Sequence, residues 1–170
     1  MIENEFLFLG LLMEGDKHGY EIKRQIEEDL TPHLGVKLKS IYYPLQKMEV
    51  EGLIEKEVGR QGRWPEKQVY RITPKGKKKF NELIGQSLLS VERPFFQIDV
   101  ALYFLPMVDK LTAKRRLKAR VALLRRIRKE LADLKEQSIK STKPLSLILQ
   151  HGLDLVEAEI SSTDKVIHQL

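Results

Sequence analysis

Three observations predict a mainly α-helical protein with one small β-hairpin. Apolar residues recur at three- and four-residue spacing over most of the 170 residues, as on one face of a helix. Strand signals are confined to two short arms, around 53–58 and 68–73, on either side of a turn rich in glycine and proline. The chain ends in a 4-3-4-3 seam, Leu149, Leu153, Val156, Ile160, Thr163, Ile167 and Leu170, a pattern that requires a partner helix.

The elements follow in order. Ile2, Phe6, Leu9, Leu12 and Met13 mark a first helix that ends at Gly15-Asp16. His18-Gly19-Tyr20 opens a second, with Tyr20, Ile22, Ile26 and Leu30 as its apolar set. It is expected to stop at Thr31-Pro32, because the residue before proline avoids the helical region. Ser40 is a suitable N-cap for a third helix, with Ile41, Leu45 and Met48 on its inner face and Pro44 in its first turn, where a missing N–H matters little. Gly52 ends this helix in the left-handed conformation, and Leu53 and Ile54 turn back to the core. Gly59 to Pro65 carries the turn of the hairpin. In the returning arm Val69 and Arg71 share one face, and Tyr70 and Ile72 the other. Thr73-Pro74 reads as an N-cap with proline at the first helical position, starting a helix to about Leu89. Three short helices, a hairpin and a linking helix form a winged helix-turn-helix order, which we place at residues 1–90.

Residues 91–170 form a second region of three helices. Phe95 to Val108 is the most apolar segment, with Pro106 near its end. A long helix runs from Asp109 or Thr112 to about Ser138, with Leu117, Leu124, Ile127, Leu131 and Leu134 in register and Arg120 as a polar interruption. The last helix carries the terminal seam. Two long antiparallel helices can satisfy one another within one chain. The apolar segment before them adds more stripe than two helices bury, so we expect a dimerisation region built from these helices.

There is no cysteine, which excludes disulfides and thiolate chemistry. The apolar run from Phe6 to Met13 is too short to span a membrane and lacks the basic start of a signal peptide, so a cytoplasmic protein is expected. No nucleophile elbow, phosphate-binding loop or dinucleotide fingerprint is present. His18, His33, His151 and His168 have no metal-ligand spacing. Neither an enzyme nor a metal or cofactor is therefore expected.

Charge is unevenly distributed. Residues 1–55 carry six Lys/Arg against eleven Asp/Glu, whereas residues 56–79 carry nine against two. A local basic block attracts an anionic partner even when the whole chain, at +6, is nearly balanced.

Four motifs carry a resemblance. His18-Gly19-Tyr20-Glu21-Ile22, Ser40-Ile41-Tyr42-Tyr43-Pro44-Leu45, Glu51-Gly52-Leu53-Ile54 and Tyr70-Arg71-Ile72-Thr73-Pro74-Lys75-Gly76 occur in the order seen in the PadR family of bacterial transcriptional regulators. The resemblance covers roughly Phe6 to Leu83. The length and three-helix plan of the second half resemble members with a long C-terminal domain, of the AphA type. It implies a homodimer that binds double-stranded DNA at a pseudo-palindrome, generally as a repressor, and in many members releases DNA on binding a small molecule. The sequence departs from the pattern at the wing tip, with two glycines and Trp64, and at Lys37-Leu38-Lys39, where small residues often precede the recognition helix.

With Ile41, Leu45 and Met48 inward, Tyr42, Tyr43 and Lys47 face out. The resemblance gives Tyr42 a contact to the DNA backbone, and a phenol donates well to a phosphate oxygen. Ser40 also reaches the DNA, and Lys39 adds charge at the helix entry. Gln46 and Lys47 are the candidate base readers, for adenine and guanine edges. Arg60, Arg63 and Lys67 are candidate phosphate contacts on the wing. The basic run between Lys114 and Lys129 reads as the solvated face of a long helix, stabilised by pairs such as Arg126 with Glu130. Phe95, Phe96, Tyr103 and Phe104 could line a pocket for an aromatic or drug-like effector, although core is the commoner meaning of their spacing. Trp64 should pack on a partner subunit, a ligand or a minor groove. Two other functions fit the same pattern: a protein-interaction adaptor and a sensor whose primary partner is the ligand.

Overall fold

The computed structural model describes residues 4–35, 38, 40–59, 67–91, 95–138 and 143–170. Two compact units are present, Met1–Glu92 and Arg93–Leu170.

In the first unit, α1 (Asn4–Met13) buries Phe8, Leu9, Leu11 and Leu12, so it is covered on more than one side and sits in the centre of the core. A two-residue strand, β1 (Lys17–His18), leads into α2 (Gly19–Gln25). The expected stop at Thr31-Pro32 does not occur. A π turn over Ile26–Leu30 follows, in which the Thr31 N–H donates to the Ile26 carbonyl five residues back, and α3 (Thr31–Leu34) continues to Gly35 at φ 64°. Proline has no N–H for the carbonyl four residues earlier. The wider turn shifts the bonding register just before it, and the Thr31 hydroxyl also donates to the Ile26 carbonyl (2.8 Å).

Helix α4 (Tyr42–Val50) follows, ending as expected at Gly52, φ 70°. Strands β2 (Ile54–Gly59) and β3 (Lys67–Ile72) pair antiparallel from Ile54 opposite Ile72 to Gly59 opposite Lys67. β1 adds to the free edge of β3, pairing Lys17 with Tyr70 and His18 with Val69, which gives the order β1-β3-β2. The expected hairpin is thus two strands of a three-stranded sheet; a two-residue strand has no periodicity to detect. Tyr70 and Ile72 point into the core and Arg71 out of it.

Helix α5 (Pro74–Leu89) starts at the expected cap, where the Thr73 hydroxyl oxygen accepts from the Gly76 N–H (3.0 Å). The core joins Phe8, Ile22, Leu45, Met48, Ile54 and Tyr70, drawn from every layer of the unit.

The second unit holds α6 (Gln97–Tyr103), a 3-10 turn at Leu105–Met107 containing Pro106, and two long helices, α7 (Lys110–Ser138) and α8 (Lys143–Gln169). The Asp109 carboxylate caps α7 by accepting from the Thr112 N–H (3.0 Å); the Thr112 hydroxyl first, and this N–H second, hold its carboxyl below the usual range. α7 and α8 lie antiparallel, with Ala113, Leu117, Val121, Leu149, Ile160 and Thr163 buried along the seam. Arg128 to Glu157 (2.8 Å), Arg125 to Asp164 (3.7 Å), Arg120 to Glu159 and Lys135 to Gln150 tie them across it. The terminal seam therefore meets its partner helix within the same chain. Apolar surface stays exposed on α6 and the turn after it, at Val100, Tyr103, Phe104 and Met107. It is also exposed along the long helices at Leu111, Leu123 and Leu147, and at Ile127 and Leu134, two residues expected in the seam. No described helix is long and apolar enough to cross a membrane.

Candidate nucleic-acid interface

Helix α4 presents two chemically distinct faces. Ile41, just before it, and Leu45 and Met48 within it are buried. Tyr42 and Tyr43 are 62% and 73% exposed, and Gln46 and Lys47 are exposed beside them. The i, i+4 geometry of a helix makes this separation unavoidable once the apolar set is buried. The Ser40 hydroxyl accepts from the Tyr42 N–H at 3.3 Å, the bond of an N-cap to the second helical residue. Val50, 83% exposed, lies one turn beyond Gln46 on the same side. It escaped the sequence reading because a valine at a helix end normally signals packing; its four-residue spacing from Gln46 was the available signal.

The face is held from behind. A Cβ built on Gly19 would lie 3.5 Å from the Tyr70 ring and 3.7 Å from the Tyr42 ring, so the start of α2 packs between the sheet and α4. His18 stacks on Tyr20 with ring centroids 5.5 Å apart, and its Nδ1 lies 3.2 Å from the Gln68 carbonyl at the base of the wing. This agrees with the expected role of His18 at a helix start. The Glu21 carboxylate accepts from the His18 N–H (2.7 Å), and this bond holds Glu21 below the usual carboxylate range. Burial, reinforced by the Glu49 charge, raises the Tyr70 phenol above its ordinary value. It stays neutral and donates to Gln68 Oε1 (3.1 Å).

Much of the basic block is neutralised by acids of its own unit. Lys56 meets Glu49 (3.4 Å), and Lys79 meets Glu5 (3.8 Å). Arg71 donates through Nε to Asp16 (2.8 Å) and lies 3.8 Å from Glu57; the Asp16 bond raises its guanidinium further above its ordinary value. Lys47 itself is 3.6 Å from Glu51. Lys75 donates to the Glu51 carbonyl (2.7 Å), binding the end of α4 to the start of α5. Lys77 and Lys78 are exposed, with no ion pair among the described residues. Lys39, Arg60, Arg63 and Trp64 lie outside the described residues. Lys67 takes part in β3 opposite Gly59, and its side chain lies outside the description.

The other expected sites fare differently. Phe95, Phe96 and Tyr103 are exposed, Phe95 and Tyr103 by 78% and 79%. Among the described residues of the second unit they are not part of the core, which is the α7–α8 seam. The basic run of α7 is also more than a solvated face. Arg126 does pair with Glu130 (3.1 Å), but Arg120, Arg125 and Arg128 reach acids on α8. Among the described residues no cluster of three or more histidine or acidic side chains is placed to hold a metal ion.

The sequence model described as the Transcriptional regulator PadR-like family matches residues 8–82, the span from α1 to α5 that builds this face. The negative transcriptional regulator PadR of Bacillus subtilis (strain 168) is 27% identical over 145 residues, 84% of this chain and 78% of that protein. The fold is similar to that of Bacillus subtilis PadR solved in complex with operator DNA, with a TM-score of 0.78, 22% identity and 97% of each chain covered. That protein has also been solved with p-coumaric acid. The fold is likewise similar to that of the Vibrio cholerae virulence activator AphA, with a TM-score of 0.66, 19% identity, and 98% of this chain and 97% of that one covered. With a helix whose polar face is turned outward, a wing beside it and a family match over that same span, the chain belongs to the PadR-like family of transcriptional regulators.

Proposed function

We propose that this regulator acts in the cytoplasm as a homodimer that binds a pseudo-palindromic operator, represses transcription, and is released by a small aromatic molecule. The observation that carries the reading is the division of α4, with Ile41, Leu45 and Met48 inward and Tyr42, Tyr43, Gln46 and Lys47 outward. Placed in a major groove, Gln46 and Lys47 meet base edges, and Val50 is suited to a thymine methyl. Tyr42, Tyr43 and Ser40 donate to phosphates, and Lys39, Arg60, Arg63 and Lys67 supply charge along the backbone. One short helix reads few base pairs, so a useful operator needs two copies, with half-sites about 34 Å apart or a multiple of that. The exposed apolar side of α6 is surface suited to the second copy. Repression and an aromatic effector are supported by the Bacillus subtilis relative, a negative regulator solved with operator DNA and with p-coumaric acid. Phe95, Phe96, Tyr103 and Trp64 are the candidate effector contacts.

A gel shift and a DNase footprint over the promoter of the chain's own gene test the reading. We expect a specific complex that survives about 150 mM salt, where non-specific binding is weak, and two protected stretches related by a dyad. Binding that never exceeds that to unrelated DNA would contradict it.

A further inference from the structure

The first two-thirds of α7 carries a set of cations that the fold does not neutralise. Residues 110–129 contain ten Lys/Arg and no Asp/Glu. The structure sorts them. Arg120, Arg125, Arg126 and Arg128 each meet a carboxylate, three of these on α8. Six have no acidic partner among the described residues: Lys110 at the helix start, Arg116 on the far side of the helix, and the four Lys114, Arg115, Lys118 and Lys129. At 100° per residue these four fall on one side of the helix: Lys114 and Lys118 are one turn apart, Arg115 lies beside them, and Lys129 sits three turns beyond Lys118. The stripe is about 22 Å long at 1.5 Å per residue. Arg115, Lys118 and Lys129 are exposed, and Lys114 is half-buried.

Like charges at i, i+3 and i, i+4 destabilise a helix. The same helix pairs Arg120, Arg125, Arg126 and Arg128 with acids, so the chain has the means to neutralise a cation where neutrality suffices. A row of unpaired cations along one side of a helix is complementary in charge to a chain of phosphates, and release of condensed counterions gives such a row its affinity. We infer that Lys114, Arg115, Lys118 and Lys129 form a second, sequence-independent contact to the phosphate backbone of duplex DNA. This inference rests on the reading of the protein as an operator-binding regulator. It adds to the α4–wing face a surface that holds DNA without reading it.

The test compares salt dependence on two duplexes with the full-length protein. One duplex is the shortest operator fragment that the wild type still binds specifically. The other is that fragment extended on each side by about 15 base pairs of unrelated sequence, roughly 50 Å at 3.4 Å per pair. The variant is K114Q/R115Q/K118Q/K129Q; glutamine is a good helix former, so α7 persists. For the wild type, the slope of log affinity against log salt should be steeper on the long duplex by about 4 to 7, at about 0.9 per phosphate with four cations in each of two protomers. In the variant the two slopes should coincide, with affinity for the short duplex unchanged. Equal slopes in the wild type, or an extra slope that survives in the variant, would overturn the inference. So would a variant with weakened self-association and unaltered DNA slopes, because the stripe would then face an acidic surface of a second copy. If no complex forms with the short duplex, the operator reading fails. The stripe is then judged on an unrelated long duplex, where the variant must lose the same part of the slope.

Discussion

The backbone carbonyl oxygen of Leu53 occupies the space that a side chain on Gly76 would need. A Cβ built on Gly76 falls 2.1 Å from that oxygen and 2.8 Å from Cγ1 of Ile72. The Thr73 hydroxyl lies in the same joint and donates toward the Gly52 (2.8 Å) and Leu53 (3.0 Å) carbonyls while capping α5. The end of α4 and the start of α5 are thereby locked together. We expect Gly76→Ala to destabilise the protein by about 3 kcal/mol, the upper end of the overpacking range, because the obstacle is backbone and cannot rotate away. Gly85, in the same helix, has open space at its Cβ. Gly85→Ala should therefore stabilise by about 0.5–1 kcal/mol. Urea denaturation of the two variants checks both signs.

The parts of this joint that are local in sequence were legible in advance. Ser40, Pro44, Gly52 and Thr73-Pro74 act on their own backbone or on neighbours a few residues away, so their roles follow from residue type and position. The Gly76–Leu53 contact spans the whole wing, and β1 pairs with residues more than fifty positions away. No local pattern encodes either. The π turn at Ile26–Leu30 was missed because the rule for Thr31-Pro32 considers a proline's clash but not a helix able to re-register before it. In the candidate interface, the outward face of α4 followed from its inward one. The engagement of Arg71 by Asp16 and of Lys56 by Glu49 did not, since each depends on which acid the fold brings near.

The α7–α8 seam carries a partly buried ion pair between Arg120 and Glu159. Water reaches part of each side chain, and Nε of Arg120 has no hydrogen-bond partner among the described residues. Arg120→Ala leaves Glu159 unpaired and should cost about 1–2 kcal/mol, less than a fully buried pair because water reaches both groups. Replacing both residues by leucine should restore or exceed wild-type stability. Denaturation midpoints of the single and double variants decide this. A double variant as weak as the single one would show that the pair itself stabilises.

Basic residues near the wing should not contribute equally to DNA binding. The Arg71 guanidinium is held by Asp16 and faces Glu57, so Arg71→Gln should leave operator affinity and its salt slope unchanged. Arg63→Gln should weaken binding to all sequences alike and lower the slope by about 1.8, at about 0.9 for each of the two protomers. Anisotropy titrations over a salt series separate the two.

The Glu21 carboxylate is stabilised in the folded protein by the His18 N–H, which lowers its affinity for a proton. A carboxyl group with a depressed folded-state value contributes stability at pH values above its unfolded value, about 4.3. That contribution is lost as pH falls through the folded value. Glu21→Gln removes this proton linkage. The stability gap between wild type and variant should be constant at neutral pH and narrow on acidification. A gap that is flat from neutral to acid would show that the bond to His18 carries no linkage.

The central claim is that the outward face of α4 holds operator DNA, and the affinity of Y43A/Q46A/K47A for the footprinted operator tests it most directly. These side chains are exposed, so helicity and assembly state should match wild type. One lost base contact, at about 1–3 kcal/mol, with the phosphate and charge contacts beside it, predicts binding weaker by at least about a hundredfold, or about 2.7 kcal/mol. A folded variant that binds the operator with wild-type affinity would contradict the account.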